Sequence, residues 1–222
     1  MSNTLIKQWE DFWSSETENI KQWTYFWDSI IEKDTLLFEK TGNKPSIMKT
    51  SNKQTQRFVH GAEVLKNIQS IIKQVKAGTT QDKGVVYMMY YINDDNVRVP
   101  LYIGKSEFRG SKNPRSANAK STSPTGPLLR WGARRDYHMG DLFEAYKGRK
   151  STSKYKAWNK ALFRNNGEFK RDVYLTMVSF DTLKVPTSPF PTSVAETEST
   201  LIIWAGQIFP NDLLNLDGKS RS

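Results

Sequence analysis

Cysteine is absent from this chain, and histidine occurs only twice, at His60 and His138. The first absence excludes disulfides, thiolate nucleophiles and cysteine-ligated zinc together. Two histidines are too few for a histidine-rich metal centre. A metal bound here would have to lean on carboxylates, which favour hard ions such as Mg²⁺, with Mn²⁺ as a substitute. No apolar run reaches the roughly 18 residues of a membrane span. Met1 to Glu10 lack the basic-then-apolar pattern of a secretory signal, so a cytoplasmic location is the expectation.

Negative charge is scarce in one long stretch. Arg109 to Arg171 holds 16 basic and 4 acidic residues, a balance of +12. Met1 to Glu39 holds 3 basic and 8 acidic residues, a balance of −5, within an overall charge of +10. A positive field concentrated in one segment suits a polyanionic partner. The composition, 37% hydrophobic and 25% charged over 222 residues, provides for a folded core.

Residues 3 to 39 carry Trp9, Phe12, Trp13, Ile20, Trp23, Trp27, Ile30 and Ile31 at three- and four-residue spacing, which predicts helix. Helical spacing and negative charge assign these aromatics to packing or a partner interface rather than to base stacking. Residues 41 to 56 read as a loop and 57 to 77 as an amphipathic helix with its stripe on Val64, Leu65, Ile68, Ile71, Ile72 and Val75. His60 reads as a surface or packing histidine. Residues 85 to 92 and 97 to 103 flank Asn93 to Asn96 and predict a β-hairpin, with Pro100 marking an edge or a bulge. A basic loop follows, then helices near 128 to 146 and 155 to 163, a strand at 173 to 180, a loop at 186 to 193 and a helix at 194 to 208. This order predicts an α+β or α/β sandwich: a small mixed three-stranded sheet flanked by helices, with a helical N-terminal extension over 1–83 and a second domain over 84–222.

Three features carry chemistry. A four-residue turn at 93 to 96 would pair Ile92 with Val97 and set Tyr87 opposite Tyr102, on one face of the sheet and beside Lys105 past the strand end. A bulge at Pro100 would shift that register by one. Gly104 would allow a sharp turn or the approach of a phosphate. Arg134 and His138 are four apart and share a helix face with Arg130, joining a guanidinium for phosphate to an imidazole for proton transfer. Glu198 falls on an apolar stripe with Val194, Ala195, Leu201, Ile202 and Ala205. A carboxylate facing a core is costly unless a cation or arginine compensates.

With these residues in view, GVVY at 84 to 87 and YIG at 102 to 104 resemble the two halves of the GIY-YIG nuclease signature, with Val-Val departing from the Ile-containing step. Lys105, the Arg134 and His138 pair, the helix and strand at 158 to 180, and Glu198 before Leu201 and Ile202 are similar to the family's remaining pattern. A downstream asparagine belongs to it as well, either Asn215 or Asn211. The resemblance spans residues 84 to 216. It implies phosphodiester hydrolysis with one Mg²⁺ on Glu198, a water positioned by Tyr87 or Tyr102 with His138 or Lys105 as proton partner, and Arg134 on the transition-state charge. Tyr87 is the expected base-side tyrosine, although the sequence does not separate the two. The layout, with an N-terminal helical part and an inserted basic loop at 107–127, is more similar to the family's type II restriction endonucleases than to its homing enzymes. The expected partner is double-stranded DNA, contacted by Arg109, Lys112, Arg115, Lys120, Arg130 and Arg135, and a homodimer would suit a two-strand cut. The competing expectations are a non-catalytic DNA-binding module and a homing, repair or structure-selective nuclease.

Overall fold

The computed structural model describes residues 16–49, 56–77, 84–107, 140–149, 151–180, 183 and 193–215. Helix α1, Glu16–Asp28, arises from the expected spacing and buries Trp23, Phe26 and Trp27. It stops at Asp28, well short of the expected residue 39. The polar residues beyond it turn their hydrogen bonds elsewhere: Thr35 Oγ1 donates to the Leu175 carbonyl at 3.0 Å, and Leu175 N–H donates to the Thr35 carbonyl at 3.0 Å. Leu36 thereby bridges Tyr174 as an added sheet edge instead of continuing the helix.

Where a loop is expected over 41 to 56, the described residues, 41–49 and 56, carry strands. Strands β1 (Lys40–Thr41) and β2 (Lys44–Pro45) form a hairpin around Gly42, whose φ of +61° suits glycine. Strand β3 (Ile47–Lys49) pairs with β4 (Gln56–Phe58). The following helix α2, Ala62–Ala77, therefore starts later than residue 57, and it buries Val64 and Ile68 as its stripe predicts. His60 is a packing histidine, stacked on Phe38 at 5.8 Å between ring centroids.

The main sheet joins β5 (Gly84–Ile92), β6 (Arg98–Glu107) and β7 (Tyr174–Ser179) in the order β6-β5-β7. Both pairings are antiparallel, which corrects the expected mixed sheet: β6 and β7 run alike, but β5 separates them. The first seven residues of β5 are all buried because both faces of the sheet are covered. Val85, Tyr87 and Met89 join a core with α2, α3 (Gly140–Tyr146) and α4 (Ser153–Leu162). Val86, Met88 and Tyr90 join a second core with α1 and α5 (Val194–Ile208). The class is α+β, with helices on both sides of a small antiparallel sheet.

Of the described aromatics of α1, Trp23, Phe26 and Trp27 serve packing, as expected for Trp23 and Trp27, whereas Tyr25 is exposed. Trp23 meets Trp204 of α5 at 5.1 Å and Phe209 at 5.8 Å, both edge-on, and Phe26 lies 5.7 Å from Trp204. The end of α1 is clamped to the hairpin by charge. Arg98 bonds Asp34 through Nε at 2.8 Å and also reaches Asp28, while the Tyr90 hydroxyl donates to Asp34 at 2.6 Å. Burial raises the Asp34 pKa, but the bonds from Arg98 and Tyr90 outweigh it and hold the carboxyl below its ordinary value. Helices α1 and α2 contribute to the same two cores as the sheet. Among the described residues, no helix is long and apolar enough to cross a membrane.

Candidate functional site: two phenols and a carboxylate on the sheet

The hairpin register departs from the simple count in two places. The loop holds five residues, 93 to 97, because the Asn93 side chain accepts from the N–H groups of Asp95 and Val97 and Asn96 takes φ +59°. Ile92 therefore meets Arg98 rather than Val97. A bulge then falls beside Pro100, between the Tyr90–Pro100 and Met89–Tyr102 pairs, leaving Leu101 as the extra residue. Each change displaces the register by one, and together they make two. Because side chains alternate with period two, Tyr87 and Tyr102 still share a face, as diagonal rather than opposed neighbours. Their ring centroids lie 6.2 Å apart.

The residue opposite Tyr87 is Gly104. A Cβ on Gly104 would stand 2.5 Å from both Cζ and Oη of Tyr87. The glycine of YIG therefore makes room for the Tyr87 ring, which lies across the β6 backbone. It neither ends the strand nor forms a turn, since β6 runs on to Glu107. Lys105 lies inside β6 and opposes Val86, so it is on the face turned towards α1 and α5, not beside the phenols past a strand end.

Glu198 is carried by α5, whose bounds match the expectation. Ser193 caps this helix, its hydroxyl accepting from Glu196 N–H at 3.2 Å. Thr197, Leu201, Trp204 and Ala205 are the buried stripe, so Glu198 stands on the flank of that stripe, half-buried, rather than at its centre. Glu196 is exposed, as expected. Helix α5 packs on the opposite side of the sheet from the two phenols, yet the Glu198 charge reaches Tyr87. Burial pushes the Tyr87 phenol well above its ordinary pKa, and Tyr102, Glu198 and Tyr155 add to that rise. Burial thus favours the neutral form of the Tyr87 phenol.

Asn215 is buried, and both ends of its carboxamide bond one backbone position. It accepts from Ile103 N–H at 2.9 Å and donates to the Ile103 carbonyl at 2.8 Å. With Leu214 N–H on the Leu101 carbonyl at 2.8 Å, the segment after α5 seals the outer edge of β6. Asn215 therefore positions the strand between Tyr102 and Gly104. Asn211, the alternative, is exposed. Asn215→Ala should lower stability by about 2–3 kcal/mol, since it leaves two buried backbone groups of Ile103 unpaired. Urea unfolding of the two proteins measures this, and equal midpoints would remove the positioning role.

Arg134 and His138 lie outside the described residues, as do Arg109, Lys112, Arg115, Lys120, Arg130 and Arg135. The residue that sequence reasoning missed is Lys154, in the first turn of α4. Its Nζ donates to the Tyr102 hydroxyl at 3.2 Å and stands 4.5 Å from the Tyr102 ring centroid and 5.3 Å from that of Trp158. In sequence it is one of 16 basic residues in its stretch, with nothing local to distinguish it. No group of three or more acidic or histidine side chains gathers to hold a metal among the described residues. A single carboxylate still fits Mg²⁺, which keeps much of its water and commonly binds through one or two carboxylates with phosphate oxygens completing the shell. Comparison with protein-family models, curated proteins and solved structures returns no match, so the reading of this site rests on its own geometry.

Proposed function

We propose that this protein is a metal-dependent endonuclease that hydrolyses phosphodiester bonds in double-stranded DNA, of the GIY-YIG type and site-specific in the manner of a restriction enzyme. The observation that carries the reading is the joint placement of Tyr87 across Gly104, Tyr102 beside it, and a half-buried carboxylate whose charge reaches Tyr87. Tyrosines are common in strands, and β-propensity accounts for either one alone. It does not account for a glycine seat beneath one phenol together with an acidic neighbour.

Mg²⁺ held through Glu198 would supply Lewis-acid stabilisation of the phosphate. The chain's own groups divide the remaining work. Neutral Tyr87 donates a hydrogen bond to the attacking water or a phosphate oxygen. Tyr102, half-buried, takes the base-side role. Arg134 stabilises the charge that develops on the phosphoryl oxygens, and His138 exchanges the proton with solvent. The basic residues of segment 107–127, with Arg130 and Arg135, hold the DNA backbone. Cutting both strands would then require a second copy of the chain.

The test is direct. Purified protein with Mg²⁺ is incubated with plasmids of known sequence, and the fragment ends are sequenced. Discrete bands with a common end sequence are expected. Random nicking would remove the site-specific assignment, and no metal-dependent cleavage at all would favour the non-catalytic DNA-binding module.

A further inference from the structure

The two phenols share a face but not an electrostatic environment. Tyr87 is 4% exposed, rests on Gly104 and has the Glu198 charge in reach. Tyr102 is half-buried and has an ammonium on it. The charged and titratable groups facing Tyr102 include Tyr87 from β5 and Lys154 from α4, with Tyr155, also of α4, packed on Trp158. Lys154 reaches the hydroxyl with one N–H and lies over the ring as well, and the ring is held from its other neighbours by Trp158 at 4.7 Å. An ammonium donating to a phenolic oxygen favours the ionised form of that oxygen, and it turns the phenol's own proton away from itself.

We propose that Lys154 determines which tyrosine accepts the proton: its ammonium favours the ionised Tyr102 phenol, which makes Tyr102 the base-side residue and leaves Tyr87 the neutral donor. The role in catalysis rests on the nuclease reading above, while the coupling of Lys154 to Tyr102 does not. Lys154 is in this sense a positioning residue that acts through Tyr102. The Tyr102 oxygen takes one proton from the attacking water, the hydroxide so formed bonds to phosphorus, and the P–O bond to the leaving sugar oxygen breaks with its electron pair on that oxygen, which takes a proton from solvent.

The experiment uses the full chain with ring-labelled tyrosine, and Tyr102→Phe assigns the Tyr102 signal. In Lys154→Met, which keeps the aliphatic stem over the ring, Tyr102 should titrate about one pH unit higher than in the parent. Lys154→Arg should bring it back. A Tyr102 titration unchanged in a folded methionine variant overturns the proposal. Should the methionine variant unfold, Lys154→Gln is titrated in its place, with the same two outcomes. The cleavage arm is read as a pH profile. The limb governed by the base should move up by the same unit, with kcat at neutral pH about tenfold lower and KM little changed. A loss confined to KM would overturn the proposal by making Lys154 a phosphate-holding residue only. A parent in which Lys154 governs Tyr102 but DNA is never cut would overturn the nuclease reading and leave the coupling standing.

Discussion

Glu198→Ala is expected to lower metal-dependent cleavage by about a thousandfold while leaving DNA binding within about threefold of the parent. The magnitude follows from the several kcal/mol that a bound cation supplies to a phosphoryl transition state, at about 1.4 kcal/mol per tenfold. The selectivity follows from where Glu198 stands. The stability of α5 rests on the Ser193 cap and on the buried Val194, Thr197, Leu201, Trp204, Ala205 and Ile208. The fold should therefore survive, with a melting temperature close to that of the parent. Glu198→Gln preserves shape and removes charge, and it should lose almost as much activity as the alanine variant. Cleavage and fluorescence-anisotropy binding on the same duplex decide the matter. Full cleavage by Glu198→Ala would remove this residue from the site, and equal loss of binding and cleavage would make it structural.

The second large effect is expected from one methyl group. Gly104→Ala places a carbon where the Tyr87 ring now lies, 2.5 Å from its hydroxyl oxygen. The tip of a side chain usually yields to such a contact, but this ring is buried among Val85, Met89, Leu101 and their neighbours and has little room to swing. Overpacking of this kind costs about 1–3 kcal/mol, partly offset by the smaller entropy of the unfolded alanine chain. Activity should fall further than stability does, by about a hundredfold or more, because the Tyr87 hydroxyl is moved from its place beside Tyr102. Thermal unfolding together with single-turnover cleavage separates the two. A variant that cuts at the parental rate would show that the seat of Tyr87 on Gly104 has no part in the chemistry.

Several elements were legible from local pattern alone. Helix α5 has a serine cap, a sustained helical stripe and a clear end, so its bounds needed no tertiary information. The β5 and β6 strands were equally plain, being short, aromatic and β-branched around a polar loop. Their register was not, because it depends on an asparagine side chain closing a longer loop and on a bulge beside a proline. The end of α1 was also hidden. Its residues keep helical spacing past Asp28, and only the approach of β7 offers Thr35 to Leu37 a better set of partners.

The sequence by itself determined the hairpin strands and the last helix, whose periods of two and 3.6 a segment carries within itself. The register that puts the two phenols on one face was instead set by the Asn93 loop and the bulge beside Pro100. The tertiary structure alone decided what surrounds each phenol. Tyr87 is buried over Gly104 in reach of Glu198, and Tyr102 lies under Lys154. These neighbours come from strands and helices up to about a hundred residues apart, and the proton affinity of a phenol is set by such neighbours and by loss of water, not by its place in the chain.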